Sequence, residues 1–178
     1  AYLAGMRLLV QHAMTMKFLC DTFVALGNKP ARYECNDMVS ADRIIEETYV
    51  MERYIDAQSG GTGKGWFRIV KSPAEAREVI GEGKLAVVLG IETSFLFDCF
   101  LVPRDGFDRC DEATVIEKLD EYYDKGVRVI FPNHKFDSAF SAGDGDKRFM
   151  DIGNFALTGH WSNFTECTEE LAALPTVF

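Results

Sequence analysis

The sequence predicts an α/β fold in which parallel strands are joined by crossover helices. Two observations carry the prediction. Leu85-Ala86-Val87-Val88-Leu89 is an unbroken apolar run without polar alternation, the pattern of a parallel strand covered on both faces. Short apolar runs also alternate with helical patterns along the chain, in the order β-α-β-α-β-α-β, which implies crossover connections. A doubly wound sheet and a (β/α)8 barrel both satisfy that order. No internal repeat and no low-complexity segment interrupts it, and the 178 residues are enough for one domain with a real core.

Taken in order, Gly5–Val10 reads as a first short strand, with a helix from Ala1 onward as its rival. Met14–Cys35 has no clear pattern, and Lys29-Pro30 ends whatever helix lies there. Ser40 is placed to cap a helix running to about Ala57, with Ile44, Thr48, Met51 and Ile55 as its inward stripe. Gln58–Gly65 is a flexible loop, and Phe67–Val70 is the next strand. Ser72-Pro73-Ala74-Glu75 combines a capping box with proline at the first helical position, so a helix starts there and runs to about Ile80. After the Leu85–Leu89 strand and a long loop, Phe95–Cys110, Asp111 caps a helix whose apolar face is Val115, Ile116, Leu119, Tyr122 and Tyr123. Gly126 stops it, and Val127–Phe131 is a further buried strand closed by Pro132.

Composition narrows the function. Hydrophobic content of 47% and charged content of 26% are ordinary for a globular protein. A formal net charge of -9 without a basic patch disfavours nucleic acid and anionic membrane surfaces as partners. No apolar run approaches the roughly 20 residues of a spanning helix. The expected partner is a small-molecule or peptide substrate, and a homo-oligomer is compatible with the composition. The chain opens on Ala1 inside an apolar stretch and stops at Phe178 in what reads as the start of another buried element, so it is expected to be an internal piece of a longer protein. The five cysteines, Cys20, Cys35, Cys99, Cys110 and Cys167, form no metal-binding spacing. Cys20 with Cys35, and Cys99 with Cys110, are local pairs that as disulfides imply an oxidising, secreted or periplasmic location; free thiols are the equal alternative.

Chemistry in parallel α/β sheets gathers just past the carboxyl ends of the strands. Glu92 sits there, two residues beyond Gly90. Taken alone it reads as an ion-paired or solvated carboxylate. His134, three residues after the strand Val127–Phe131, falls in the same layer, and the pair is a better signal than either residue by itself. A neutral imidazole there can ligate a metal, polarise a carbonyl or shuttle a proton. Asp137, Asp144 and Asp146 lie in a glycine-rich loop that lacks the ligand order of a calcium hand and reads as solvated, with Asp137 kept as a candidate substrate-binding residue. His12 follows the first strand and comes near the rim, whereas no strand end places His160. The GGTGKG stretch at 60–65 fails as a phosphate loop, because Gln58 and Gly65 stand where glycine and Ser or Thr are required.

GKLAVVLGIETS, followed after a helix by YYDKGVRVIFPNHKFDSAF, resembles the renal (membrane) dipeptidase family of metallopeptidases. The likeness is closer to a bacterial branch in which IDAQSGG, GKGWFRIV, SPAEAR, GKLAVVLGIE and AFSAGDGD recur, and it covers about residues 40 to 166. The resemblance implies part of a (β/α)8 barrel of the amidohydrolase type, with two zinc ions as cofactor and cleavage of a peptide or amide bond. It implies that Glu92 bridges the metals and that His134 contacts the substrate carbonyl. The family's His-x-Asp pair, its two later histidine ligands and its late acidic residue are absent from the chain, and the loop carrying Cys99 and Cys110 is an insertion, so dipeptide specificity is open. A non-catalytic barrel scaffold used for binding, and a phosphodiesterase on the same barrel type, are the alternatives.

Overall fold

The structure is a computed structural model and describes residues 1–27, 34–102, 110–132, 134–143 and 149–162. Its elements are β1 (Leu8–Met14), α1 (Lys17–Ala25), α2 (Asp37–Gln58), β2 (Phe67–Ile69), α3 (Pro73–Gly81), β3 (Leu85–Glu92), α4 (Glu112–Asp124), β4 (Val127–Phe131) and α5 (Phe149–Thr158). Every strand pairing is parallel. β1 runs along one whole edge of β3, from Leu8 opposite Ala86 to Met14 opposite Glu92. The other edge of β3 is divided: β2 takes Leu85–Val87, and β4 takes Leu89–Glu92 after a register shift at Leu89/Gly90. The result is a mixed α/β fold on a four-stranded parallel sheet. None of its helices is long and apolar enough to cross a membrane.

Several local expectations shift. The first strand starts later and continues through His12, because residues 2–4 turn as a short 3-10 helix that Gly5 closes. The second helix begins a turn before Ser40. Asn36 is its cap, accepting from Val39 N through Oδ1 (2.8 Å) while its Nδ2 donates to Asp98 Oδ1 (2.7 Å). One asparagine thus satisfies a helix end and a half-buried carboxyl that burial holds above its ordinary pKa. The inward stripe rotates accordingly to Met38, Ala41, Ile45, Thr48 and Asp56, and Met51 faces out. Ser72 and Asp111 cap α3 and α4 as expected. On α4 only Tyr122 is fully buried, with Val115 packed against the core, while Ile116, Leu119 and Tyr123 are exposed. Helices α1 and α5 have no counterpart in the sequence reading.

The expectation of a buried central strand holds for β3 itself, whose residues are all buried or part-buried, but the two faces of the sheet around it are not equally covered. On one face, Leu89 and Ile91 of β3 pack with Ala13 of β1 against Ala41 and Ile45 of α2 and Tyr122 of α4. Lower on the same face, Leu85 and Val87 meet Phe67, Leu9 and Ile55. The opposite face carries Leu8, Val10, His12 and Met14, then Ala86, Val88, Gly90 and Glu92, then Val129 and Phe131. Here Leu8 (52%), Val10 (45%), Met14 (58%) and Phe131 (47%) are exposed. Among the described residues α3 stands against this face, leaving a groove of about 560 Å3 lined by Leu8, Val70, Ala76, Ile80, Val88 and Val129. The exposed residues of this face belong to the flanking strands, whereas Ala86 and Gly90 of β3 are buried along with Leu85, Val87, Leu89 and Ile91.

The glycine-rich loop holds an internal anion. Gly63 N and Gly65 N each donate to the Asp56 carboxylate at 2.8 Å, and Arg68 Nη1 bonds both of its oxygens at 2.9 Å. A Cβ at Gly65 would stand 2.7 Å from Asp56 Oδ1, so only glycine lets the backbone come this close. The Gly63 and Gly65 amides, then Arg68, hold the Asp56 carboxyl down to about 2 from its ordinary 3.8.

Two outcomes are expected for the 178-residue chain. Because Asp56 is depressed on folding, its stabilisation is complete above pH 3.8 and is lost as pH falls towards 2. Urea midpoints measured against pH should fall less steeply in that window for Asp56→Asn than for the wild type, from a lower starting stability. Ile91→Ala, in the covered face, should cost about 2–5 kcal/mol. Val10→Ala, on the open face, should cost well under that in the same urea titration.

Candidate active site at the carboxyl ends of the strands

Three consecutive residues at the carboxyl end of β3 bind β1, the start of α2 and the loop after β4. Glu92 comes first. Its Oε2 lies 3.1 Å from His12 Nδ1 and its Oε1 lies 3.0 Å from His134 Nδ1. An ionised carboxylate can only accept, so each imidazole that hydrogen-bonds to it does so through an Nδ1–H, which leaves Nε2 as the second nitrogen of each ring. Glu92 is thereby clamped between side chains from the two strands that flank β3, one imidazole to each oxygen. All three side chains are partly buried.

Thr93 is next and fully buried. Its Oγ1 donates to Asp37 Oδ2 (2.6 Å), and Thr15 Oγ1, just past β1, donates to Asp37 Oδ1 (2.9 Å). Asp37 opens α2, so a buried carboxylate ties the helix start to the ends of two strands, and its charge suits the helix N-terminus. Ser94 completes the run. Its Oγ accepts from Lys135 N (3.0 Å) and Phe136 N (3.1 Å), which anchors the loop after β4 and sets His134 beside Glu92. Phe136 then seats in a cluster with Phe95 and Leu157, against Phe18.

His12 is the site residue that the sequence left unassigned. It lies inside β1 in register with Gly90, and the imidazole occupies the space over that glycine. A Cβ at residue 90 would meet His12 Cδ2 at 2.6 Å and Nε2 at 3.0 Å. The readable signal was a histidine breaking the apolar stripe Leu8, Val10, Met14, in a strand whose neighbour carries a glycine.

Asp137 and His160 lie together in a separate cluster. The Asp137 carboxylate accepts from Gly143 N (2.7 Å) and Asn154 Nδ2 (2.9 Å), its own N–H donates to Asn154 Oδ1 (2.9 Å), and it is buried. Oδ1 thus closes the loop on itself through Gly143, and Oδ2 ties it to α5 through Asn154. His160 Nδ1 stands 3.8 Å from Asp137 Oδ2. Asp144, Asp146 and Cys167 lie outside the described residues. Cys20 is bonded to Cys35 with Cα atoms 5.5 Å apart, and Cys99 to Cys110 at 5.2 Å. The Cys99 strap is laced to the His134 loop through Ala139 N, which donates to Cys99 O at 3.0 Å.

Ser94→Ala should leave two backbone N–H groups without their acceptor and cost about 1–3 kcal/mol in urea unfolding. It should also shift the His134 imidazole resonances in a histidine-labelled NMR spectrum while leaving those of His160 in place.

Comparison of the chain with protein-family profiles, with curated proteins and with solved structures finds no match in any of the three. The site is defined by its own geometry.

Proposed function

We propose that this chain carries part of the catalytic rim of a metal-dependent hydrolase resembling the membrane dipeptidases, one that cleaves a peptide or amide bond. The observation that supports it is the Glu92 carboxylate at the carboxyl end of a central parallel strand, with an imidazole from each flanking strand on its two oxygens. The open apolar face beneath it, alternating along three parallel strands, is the pattern of side chains that fill a (β/α)8 barrel, and supports that fold as the setting.

The donor types suit zinc, which takes carboxylate oxygen and imidazole nitrogen. Among the described residues no three His, Cys, Asp or Glu side chains converge on a metal position, so Glu92 is the ligand those residues offer and the rest of a zinc pair would be held by residues outside them. When bound, the metals would supply an activated water. Ser94 fixes the His134 loop, and Glu92 takes His134 Nδ1. With Nδ1–H given to Glu92, Nε2 of the neutral ring can only accept, and it is the protonated ring whose Nε2–H could donate to a carbonyl oxygen as charge forms on it. The two bonded cysteine pairs favour a secreted or periplasmic location.

The test is Glu92→Gln in the longest natural form of the protein. Zinc content by plasma mass spectrometry and dipeptide hydrolysis should both fall, by more than the 10–100-fold typical of losing an outer-shell partner. Unchanged metal and turnover would refute the reading. A metal-free wild type would point to a binding scaffold, and turnover of phosphodiesters in place of dipeptides to a phosphodiesterase.

A further inference from the structure

We propose that His12 is a positioning residue of this site, seated over Gly90 so that its Nδ1–H fixes the Glu92 carboxylate for metal binding. The inference rests on the hydrolase reading and gives a role to an imidazole that the reading leaves without one. Three observations carry it. The His12 and His134 nitrogens take different oxygens of Glu92, so the carboxylate cannot rotate without breaking one of them. The imidazole fits only because residue 90 has no side chain, and its in-register neighbour on β3 is that glycine. A polar ring between Val10 and Met14 on an otherwise apolar stripe carries a desolvation cost unless it is hydrogen-bonded, and Glu92 is the partner it has.

Carboxylates that ligate metals are themselves oriented by hydrogen bonds, and losing such a partner typically weakens metal affinity or activity 10–100-fold. A carboxylate held at each oxygen by one Nδ1–H donor keeps its remaining lone pairs for a metal. His12 acts there through Glu92 and touches neither substrate nor metal.

The experiment titrates zinc against a chromophoric chelator in the longest natural form of the protein, with folding followed by circular dichroism. His12→Ala should weaken zinc binding roughly 10–100-fold. His12→Asn, whose Nδ2 can replace the Nδ1–H donor, should recover most of that loss. Gly90→Ala, which expels the ring without removing it, should weaken binding like His12→Ala and supplies an independent variant if His12→Ala does not fold. Wild-type affinity in His12→Ala, or folded His12→Asn as weak as His12→Ala, would overturn the positioning role. If Glu92→Gln binds zinc like the wild type, the hydrolase reading itself fails; if it loses zinc while His12→Ala does not, only the His12 inference fails.

Discussion

The backbone ladder of β3 is the constraint on which the other elements depend. Its one edge is filled by β1 over seven residue pairs, and its other edge is shared by β2 and β4. Because every pairing is parallel, the carboxyl ends of β1, β3 and β4 come out on the same side. The side chains that follow them are then neighbours in space although they are up to 122 positions apart in the chain, as His12 and His134 are. Glu92, on the middle strand, is the residue on which both imidazoles meet.

The two faces of the sheet are built to different ends. On the covered face, large side chains such as Leu89 and Ile91 interlock with α2 and α4, and this is where burial stabilises the fold. On the open face the central strand alternates small and larger residues, Ala86 and Gly90 with Val88 and Glu92. Small residues on a middle strand let side chains of the flanking strands lean across it. His12 over Gly90 shows this directly.

Polar residues near the strand ends are also used to fix geometry. Asp37 links two threonines to a helix start, Ser94 holds a loop, and Asp137 pins that loop to α5. At the far end of α2, Asp56 is gripped by the glycine-rich loop and Arg68. Backbone N–H groups of a glycine-rich turn bind an anion whether it is a phosphate or a carboxylate from the same chain. The GGTGKG stretch has the composition of a ligand loop because it solves the same electrostatic problem internally.

By itself, the sequence determined the alternation of strands and helices, the parallel sheet, the caps at Ser72 and Asp111 and the rim position of Glu92 and His134. These follow from periodicity and from local hydrogen bonding, which act over a few residues. The pairing of Cys20 with Cys35 and of Cys99 with Cys110 was legible as an alternative, because short loops close readily. The Asn36 cap was misplaced by one turn because Asn36 and Ser40 are both good caps, and packing of Met38 and Ala41 against the sheet chose between them. Tertiary structure alone decided which face of the sheet α2 and α4 pack against, since an apolar run looks the same from either side. It also decided that Asp137 turns inward to Asn154 and that His12 belongs with Glu92. That last contact joins residues on adjacent strands far apart in sequence, and strand register, which no local pattern encodes, sets Gly90 opposite His12.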